Sequence, residues 1–315
     1  MAIRRSSVAI VVCVVACLLL VSLGQSALFA QRKKGQQPPF VLPDNVEMKT
    51  GVVFGKGGGR DLKLALFLPK DKDQRKPMPA MVFYHGGGWR GGTPRQFYRQ
   101  AALLAAQGIV GVCPEYRLSG EAKYPAAVED AKCAIRWLRA NAKQLNVDPS
   151  RIGCAGGSAG GHLAAMVATT AKLKKLEGNG GHPEQSSAVQ LAVIFNGALD
   201  LRELTTGEKA RTAVLSFLGG APEQMPEVYK EASPIVHVDA DTPPCLLFHG
   251  TNDTTIPYQQ SVRFKEAVEK AGGEAKVVLV EGVGHGFFNR SPYFEQTYTE
   301  MEKFIKQHFG LEGSK

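Results

Sequence analysis

The chain holds 315 residues, 44% of them hydrophobic, with a formal charge of +9 and six cysteines. That is ample apolar material for one large core, and a single α/β domain of this size is common. The basic residues are scattered and form no stripe interleaved with aromatics, which argues against a nucleic-acid partner and leaves open a weak attraction to acidic polysaccharide or envelope surfaces.

Residues 1–30 read as a secretory signal peptide. Arg4 and Arg5 precede an uninterrupted apolar run from Val8 to Val21, too short to span a bilayer comfortably, and Ala30 offers a small residue for cleavage. Leu28, at the third position before that cut, also fits an uncleaved signal anchor. Loss of Arg4 and Arg5 leaves +7 on an exported, periplasmic or extracellular chain, with no later segment able to cross a membrane. Residues 31–44, with Arg32, Lys33, Lys34 and Gln36-Gln37-Pro38-Pro39, read as a flexible leader. One domain is expected over 45–312. Cys13 and Cys17 leave with the signal, so four cysteines remain. Cys113, Cys154 and Cys245 fall in expected core strands and Cys133 on a helix. They lack metal-ligand spacing, and free buried thiols are the expected state.

Residues 46–54 and 61–68 predict an antiparallel pair, since Leu62, Leu64, Leu66 and Leu68 alternate at strand period. Strands are then expected at 80–84, 109–113, 151–155, 189–195, 245–249 and 275–280. Helices are expected near 94–107, 126–142, 159–172, 258–271 and 293–309. This alternation predicts an α/β fold: a mostly parallel twisted sheet of about eight strands with helices on both faces. Val128, Ala131, Ile135, Leu138 and Ala142 make one apolar stripe at helical spacing. Phe264, Val268 and Ala271 make a second, and Phe294, Tyr298, Met301, Ile305 and Phe309 a third. Residues 176–187 read as a surface loop. Residues 201–241 are an insertion that either covers the site as a small lid or forms a peripheral helix pair.

Two segments carry chemistry. Gly156-Gly157-Ser158-Ala159-Gly160 stands where a strand ends and an alanine-rich helix begins. A serine on such a sharp turn projects its hydroxyl above the sheet. Upstream, the strand ending at Tyr84 runs into His85-Gly86-Gly87-Gly88-Trp89. Acyl transfer builds negative charge on a carbonyl oxygen, and bare backbone N–H groups aimed at that oxygen lower the barrier. Gly87, Gly88 and Ala159 are the expected donors of this oxyanion hole. His85 and Trp89 are expected to border the substrate; His85 reads as a brace for the glycine loop.

A serine hydroxyl needs a base, and the base needs an acid to orient it. His285, in Gly284-His285-Gly286 after a strand, is the expected base. Asp253, in His249-Gly250-Thr251-Asn252-Asp253, is the expected acid, with Asp200 its rival. The chain order Ser158, Asp253, His285 suits a strand–turn–helix nucleophile of this kind. His162 is badly aimed for general-base work, His249 reads as strand-end packing, and His182, His237 and His308 as surface residues. Glu115 reads as structural, paired with Arg117 or a neighbouring backbone group. No His-Glu-x-x-His or Cys-x-x-Cys is present, and the expected chemistry needs neither metal nor cofactor.

These segments, together with Tyr116-Arg117-Leu118 and Tyr124-Pro125-Ala126, resemble the α/β-hydrolase superfamily. They most resemble secreted bacterial esterases related to acetyl xylan and feruloyl esterases, and the hormone-sensitive-lipase-like carboxylesterases. The resemblance covers about residues 45–310. It implies a serine esterase acting on short acyl or aromatic esters, small or carried on polysaccharide. The acid segment resembles the esterase and dienelactone-hydrolase side more than the lipase-like side. A serine peptidase of prolyl-oligopeptidase type, an arylformamidase-like amide hydrolase, and a non-catalytic binding module on the same scaffold are the alternatives. The resemblance does not fix an oligomeric state.

Overall fold

The computed structural model describes residues 40–204 and 208–311. The expected signal peptide and residues 31–39 of the leader lie outside them. Eight strands form one sheet: β1 (Val46–Gly57), β2 (Arg60–Pro69), β3 (Met78–Tyr84), β4 (Val110–Pro114), β5 (Val147–Gly157), β6 (Ala192–Phe195), β7 (Cys245–Gly250) and β8 (Ala275–Val280). Their order is β1-β2-β4-β3-β5-β6-β7-β8. β2 runs antiparallel to both β1 and β4, and every other pairing is parallel. This is the architecture predicted from the strand–helix alternation.

Helices cover both faces. On one lie α1 (Tyr98–Ala105) and α8 (Tyr293–His308), with Ala101, Leu104, Met301 and Ile305 buried against Phe83, Phe195 and Phe248. On the other lie α2 (Ala126–Ala140), the short α3 (Ala142–Leu145), α4 (Ala159–Thr169) and α7 (Gln259–Lys270). The expected stripe Val128, Ala131, Ile135, Leu138 and Ala142 packs there in one core. The expected 126–142 helix breaks at Asn141, whose side chain donates to the Trp137 carbonyl. All eleven residues of α4 are buried, as a helix apolar on every side must be. Its alanines and glycines let it lie directly on the sheet. A Cβ at Gly160 would stand 2.0 Å from the Tyr84 carbonyl oxygen.

Segment 176–187 is more than a surface loop. Glu177 receives the buried Lys132 ammonium at 2.7 Å and the Arg136 guanidinium at 2.5 Å, and the Gly180 carbonyl accepts from the Lys56 amide at 2.9 Å. The loop is thereby clamped to α2 and β1. Cys133 packs behind it, against the Phe54 and Gly181 carbonyls. Cys113, Cys133, Cys154 and Cys245 are all free and buried. Glu115 accepts from Arg60 at 2.6 Å and from the Lys63 amide at 2.9 Å. The expected Arg117 pairing is not formed, because Asp130 and Glu129 take that guanidinium.

Gly160→Ala is expected to destabilise the fold by about 3 kcal/mol, since the new methyl would meet rigid backbone. Gly120 has open space around its would-be Cβ, so Gly120→Ala should change stability by less than about 0.5 kcal/mol. Paired thermal melts of the two variants check this.

Candidate active site

β5 delivers Ser158 to the carboxyl edge of the sheet. Ser158 sits at φ 57°, ψ −119°, a conformation that costs a non-glycine residue about 1–3 kcal/mol. Its neighbours impose it. The Ser158 amide donates to the Phe195 carbonyl at 2.9 Å, and its own carbonyl accepts from the His162 amide at 3.0 Å. A Cβ at Gly156 would lie 2.1 Å from the Gly160 carbonyl oxygen, so the turn closes only with glycine there.

The hydroxyl so presented meets an imidazole. Ser158 Oγ is 2.8 Å from His285 Nε2, and His285 Nδ1 is 2.6 Å from Asp253 Oδ2. The three predicted residues therefore form one hydrogen-bonded chain. Asp253 Oδ1 accepts from the amides of Thr255 at 2.8 Å and Ile256 at 3.0 Å. Burial alone would raise the Asp253 pKa. The hydrogen bonds from His249 and His285 outweigh it and hold the carboxyl well below the usual carboxylate range. A carboxylate acceptor fixes the proton of His285 on Nδ1 and leaves Nε2 free to accept the serine hydroxyl.

His249 is more than strand-end packing. Its Nε2 faces two acceptors, the Ile256 carbonyl at 2.9 Å and Asp253 Oδ2 at 3.3 Å, so Nε2 carries the proton. Nδ1 then accepts from the Ser261 hydroxyl at 2.7 Å. The buried Asp253 thus lies between two imidazoles. Asp200, the rival acid, is spent elsewhere: its carboxylate takes the Arg202 guanidinium at 2.6 Å and caps the turn that follows. His162 is buried, donates to the Ala232 carbonyl at 2.8 Å, and is pushed down to about 4 by that burial. His237 and His308 are half-buried and bonded to carbonyls, so they are not simple surface residues.

The glycine loop after β3 faces Ser158. Gly87 and Gly88 have φ of 123° and 61°, open to glycine at little cost. The amides of Gly87, Gly88 and Ala159 find no acceptor among the described residues, and all three residues line the same cavity. Gln96 braces the loop by accepting the Gly86 amide at 2.6 Å.

His85 does not border the cavity as expected. It is 2% exposed, donates from Nδ1 to the Gly86 carbonyl at 2.8 Å, and stacks on Tyr116 at 4.3 Å. Burial lowers its pKa. Its work is the bracing. Trp89 does line the cavity, with its indole stacked on Phe217 at 4.4 Å.

That stack explains the insertion. Helix α5 (Glu208–Leu218) supplies Ala210, Ala213 and Val214 to one wall of the cavity, while α6 (Pro226–Glu231) lies away from it. The insertion is therefore wall and periphery at once. The cavity measures about 560 Å³, within the range that encloses small ligands. Asn196, at the end of β6, also lines it. Its Nδ2 lies 3.3 and 3.4 Å from the two ring nitrogens of His285, and its Oδ1 is buried with no partner among the described residues. Sequence reasoning missed Asn196, Gln96 and His249. The available signals were an Asn-Gly pair just past a strand and a histidine four residues before the acid.

A family model described as BD-FAE matches residues 64–268, a span that includes the glycine loop, Ser158 and Asp253 and stops short of His285. The chain belongs to the BD-FAE family. Among relatives of this BD-FAE chain is Esterase LipC of Mycobacterium tuberculosis, 37% identical over 67% of this chain and 54% of that protein. The probable carboxylic ester hydrolase LipM of the same organism is 31% identical over 70% and 51%. The chain spans about half the length of these curated relatives. Among solved structures, a thermophilic esterase of the planctomycete Thermogutta terrifontis is 36% identical, with a TM-score of 0.71 over 84% of this chain and 92% of that one. A truncated carbohydrate esterase from gut microbiota is 29% identical, with a TM-score of 0.75 over 87% and 99%.

Asp253→Asn removes a carboxylate whose pKa is lowered by folding. Such a group contributes stability above its unfolded pKa of about 3.9, and loses it as pH falls toward the folded value. The stability gap between the parent and Asp253→Asn should be constant from neutrality to about pH 5 and shrink below about pH 4, in denaturant titrations at graded pH.

Proposed function

We propose that this chain is a serine carboxylic-ester hydrolase for short acyl or aromatic esters, with acetyl or feruloyl groups on polysaccharide among its substrates, and that it works after export. The observation that carries the reading is the hydrogen-bonded run Ser158–His285–Asp253 opening onto a cavity beside three unpaired amides.

In the first half-reaction Ser158 Oγ attacks the ester carbonyl as its proton passes to His285 Nε2. Asp253 stays ionised and stabilises the imidazolium. The amides of Gly87, Gly88 and Ala159 receive the oxyanion. Collapse expels the alcohol, which takes the proton from His285. Water, deprotonated by the same imidazole, then releases the acid and restores Ser158.

The short-acyl assignment is supported by two features. Part of the cavity lining is small and apolar, from Ala159, Ala198, Ala210, Ala213 and Val214. The Thermogutta terrifontis esterase has been solved with propionate and with butyrate bound. The carbohydrate assignment draws on the gut-microbiota carbohydrate esterase and on a bifunctional GH43-CE protein of Bacteroides eggerthii, 30% identical with a TM-score of 0.74. The export assignment draws on the amino-terminal pattern of Arg4, Arg5 and the run from Val8 to Val21.

Ser158→Ala should lower kcat by at least about 10³-fold at near-parental stability, and Ser158→Ala combined with His285→Ala should lose little more, because the two act as one unit. Parental turnover by Ser158→Ala would end the nucleophile assignment. On 4-nitrophenyl esters of graded length, kcat/KM should be greatest at two to about four acyl carbons and fall beyond, since a flexible alkyl chain loses conformational freedom on binding without a matching gain in contact. A maximum above about eight carbons would overturn the short-acyl assignment.

A further inference from the structure

The described lining of the cavity contains two permanently charged side chains, Arg90 and Lys209, and no carboxylate. Both are exposed. Neither makes an ion pair or side-chain hydrogen bond with a described residue, whereas Arg202 is held by Asp200 and Arg263 by Glu203. Glu208 precedes Lys209 on α5 but does not line the cavity. The two cations lie on the same flank. Lys209 and Ala213 are four residues apart on one helix face. Ala213 Cβ would stand 3.1 Å from a Cβ at Gly88, and Arg90 follows Gly88 by two residues. Both cations are thus exposed and line the cavity, Arg90 two residues beyond Gly88 and Lys209 one helical turn before the Ala213 that packs on Gly88.

We propose that Arg90 and Lys209 select esters whose alcohol portion carries a carboxylate, as an acylated acidic sugar does. The inference rests on the serine-esterase reading above. A short acyl group has no atoms to reach an exposed rim, so the part of the substrate that meets these cations is the alcohol. The reaction is otherwise unchanged. The acyl–oxygen bond to the alcohol breaks as the bond to Ser158 Oγ forms, the alcohol leaves with the proton from His285, and the carboxylate takes no covalent part. Two partly exposed ion pairs with an unpaired guanidinium and ammonium give a preference of about tenfold.

The test compares two esters of nearly equal size, 4-acetoxybenzoate and its neutral counterpart 4-acetoxybenzamide. The quantity is the ratio of their kcat/KM within one protein, which cancels much of their intrinsic difference when proteins are compared. At about 0.02 M salt the parental ratio should exceed that of Arg90→Gln/Lys209→Gln by about tenfold. The excess should shrink severalfold at about 0.5 M salt, where screening is strong. Arg90→Glu/Lys209→Glu should carry the ratio below that of the double glutamine variant. Thermal melts verify that the variants are folded. Equal ratios in parent and double glutamine variant, with both esters cleaved, would overturn the selectivity and leave the esterase reading standing. Cleavage of neither ester by the folded parent, or undiminished cleavage by Ser158→Ala, would bring down the esterase reading and this inference with it.

Discussion

The constraint on which the site depends is the close passage of the 156–160 turn beneath the end of β3. Gly156, Gly160 and the Tyr84 carbonyl approach more closely than any Cβ would permit. That contact forces Ser158 to positive φ, lifts its hydroxyl off the sheet, and starts α4 with the Ala159 amide facing the cavity. The Ser158 hydroxyl and the Ala159 amide thus take their positions from one steric event. The local strain is offset by the burial of α4, every residue of which is packed.

The electrostatics are arranged in a series outward from the core. Asp253 is buried yet ionised because two imidazoles and two backbone amides all donate to it. That fixed negative charge selects the tautomer of His285, and the tautomer decides that Nε2 faces the serine. Asn196, itself fully buried, sets its Nδ2 3.3 Å from His285 Nδ1, so the imidazole is held by Asp253 and flanked by an amide. Removing water from these contacts raises their strength, as low local dielectric does for any well-partnered polar run.

Much of this was legible in the residues. The strand–helix alternation carried the sheet, since runs such as 80–84 and 152–155 are buried throughout and need no tertiary information to be recognised. Ser158, His285 and Asp253 were legible because each stands just past a strand, among glycines or turn residues. What escaped were partners defined by space alone. His249 looked like packing because its link to Asp253 depends on a turn at residues 250–256 that a linear pattern does not specify. His85 was expected at the substrate, and its ring turned inward because Tyr116 offered a stacking face and the Gly86 carbonyl an acceptor. The insertion at 201–241 could not be divided into wall and periphery, because what distinguishes its two helices is contact in space: α5 brings Phe217 onto Trp89 and Ala210, Ala213 and Val214 to the cavity. The clamp on the 176–187 loop was hidden for a similar reason: Glu177 finds Lys132 and Arg136 only once α2 is in place.

The Trp89–Phe217 stack joins parts that would otherwise be independent. Trp89 ends the loop carrying Gly87 and Gly88, and Phe217 belongs to the helix that shapes the cavity. A rigid-body shift of that helix to admit a bulkier guest would drag the amides away from the serine. Pocket size and the placing of the Gly87 and Gly88 amides are mechanically geared to one another. The room for a larger guest is therefore set by single side chains such as Ala210 and Val214, with the helix axis held where it is.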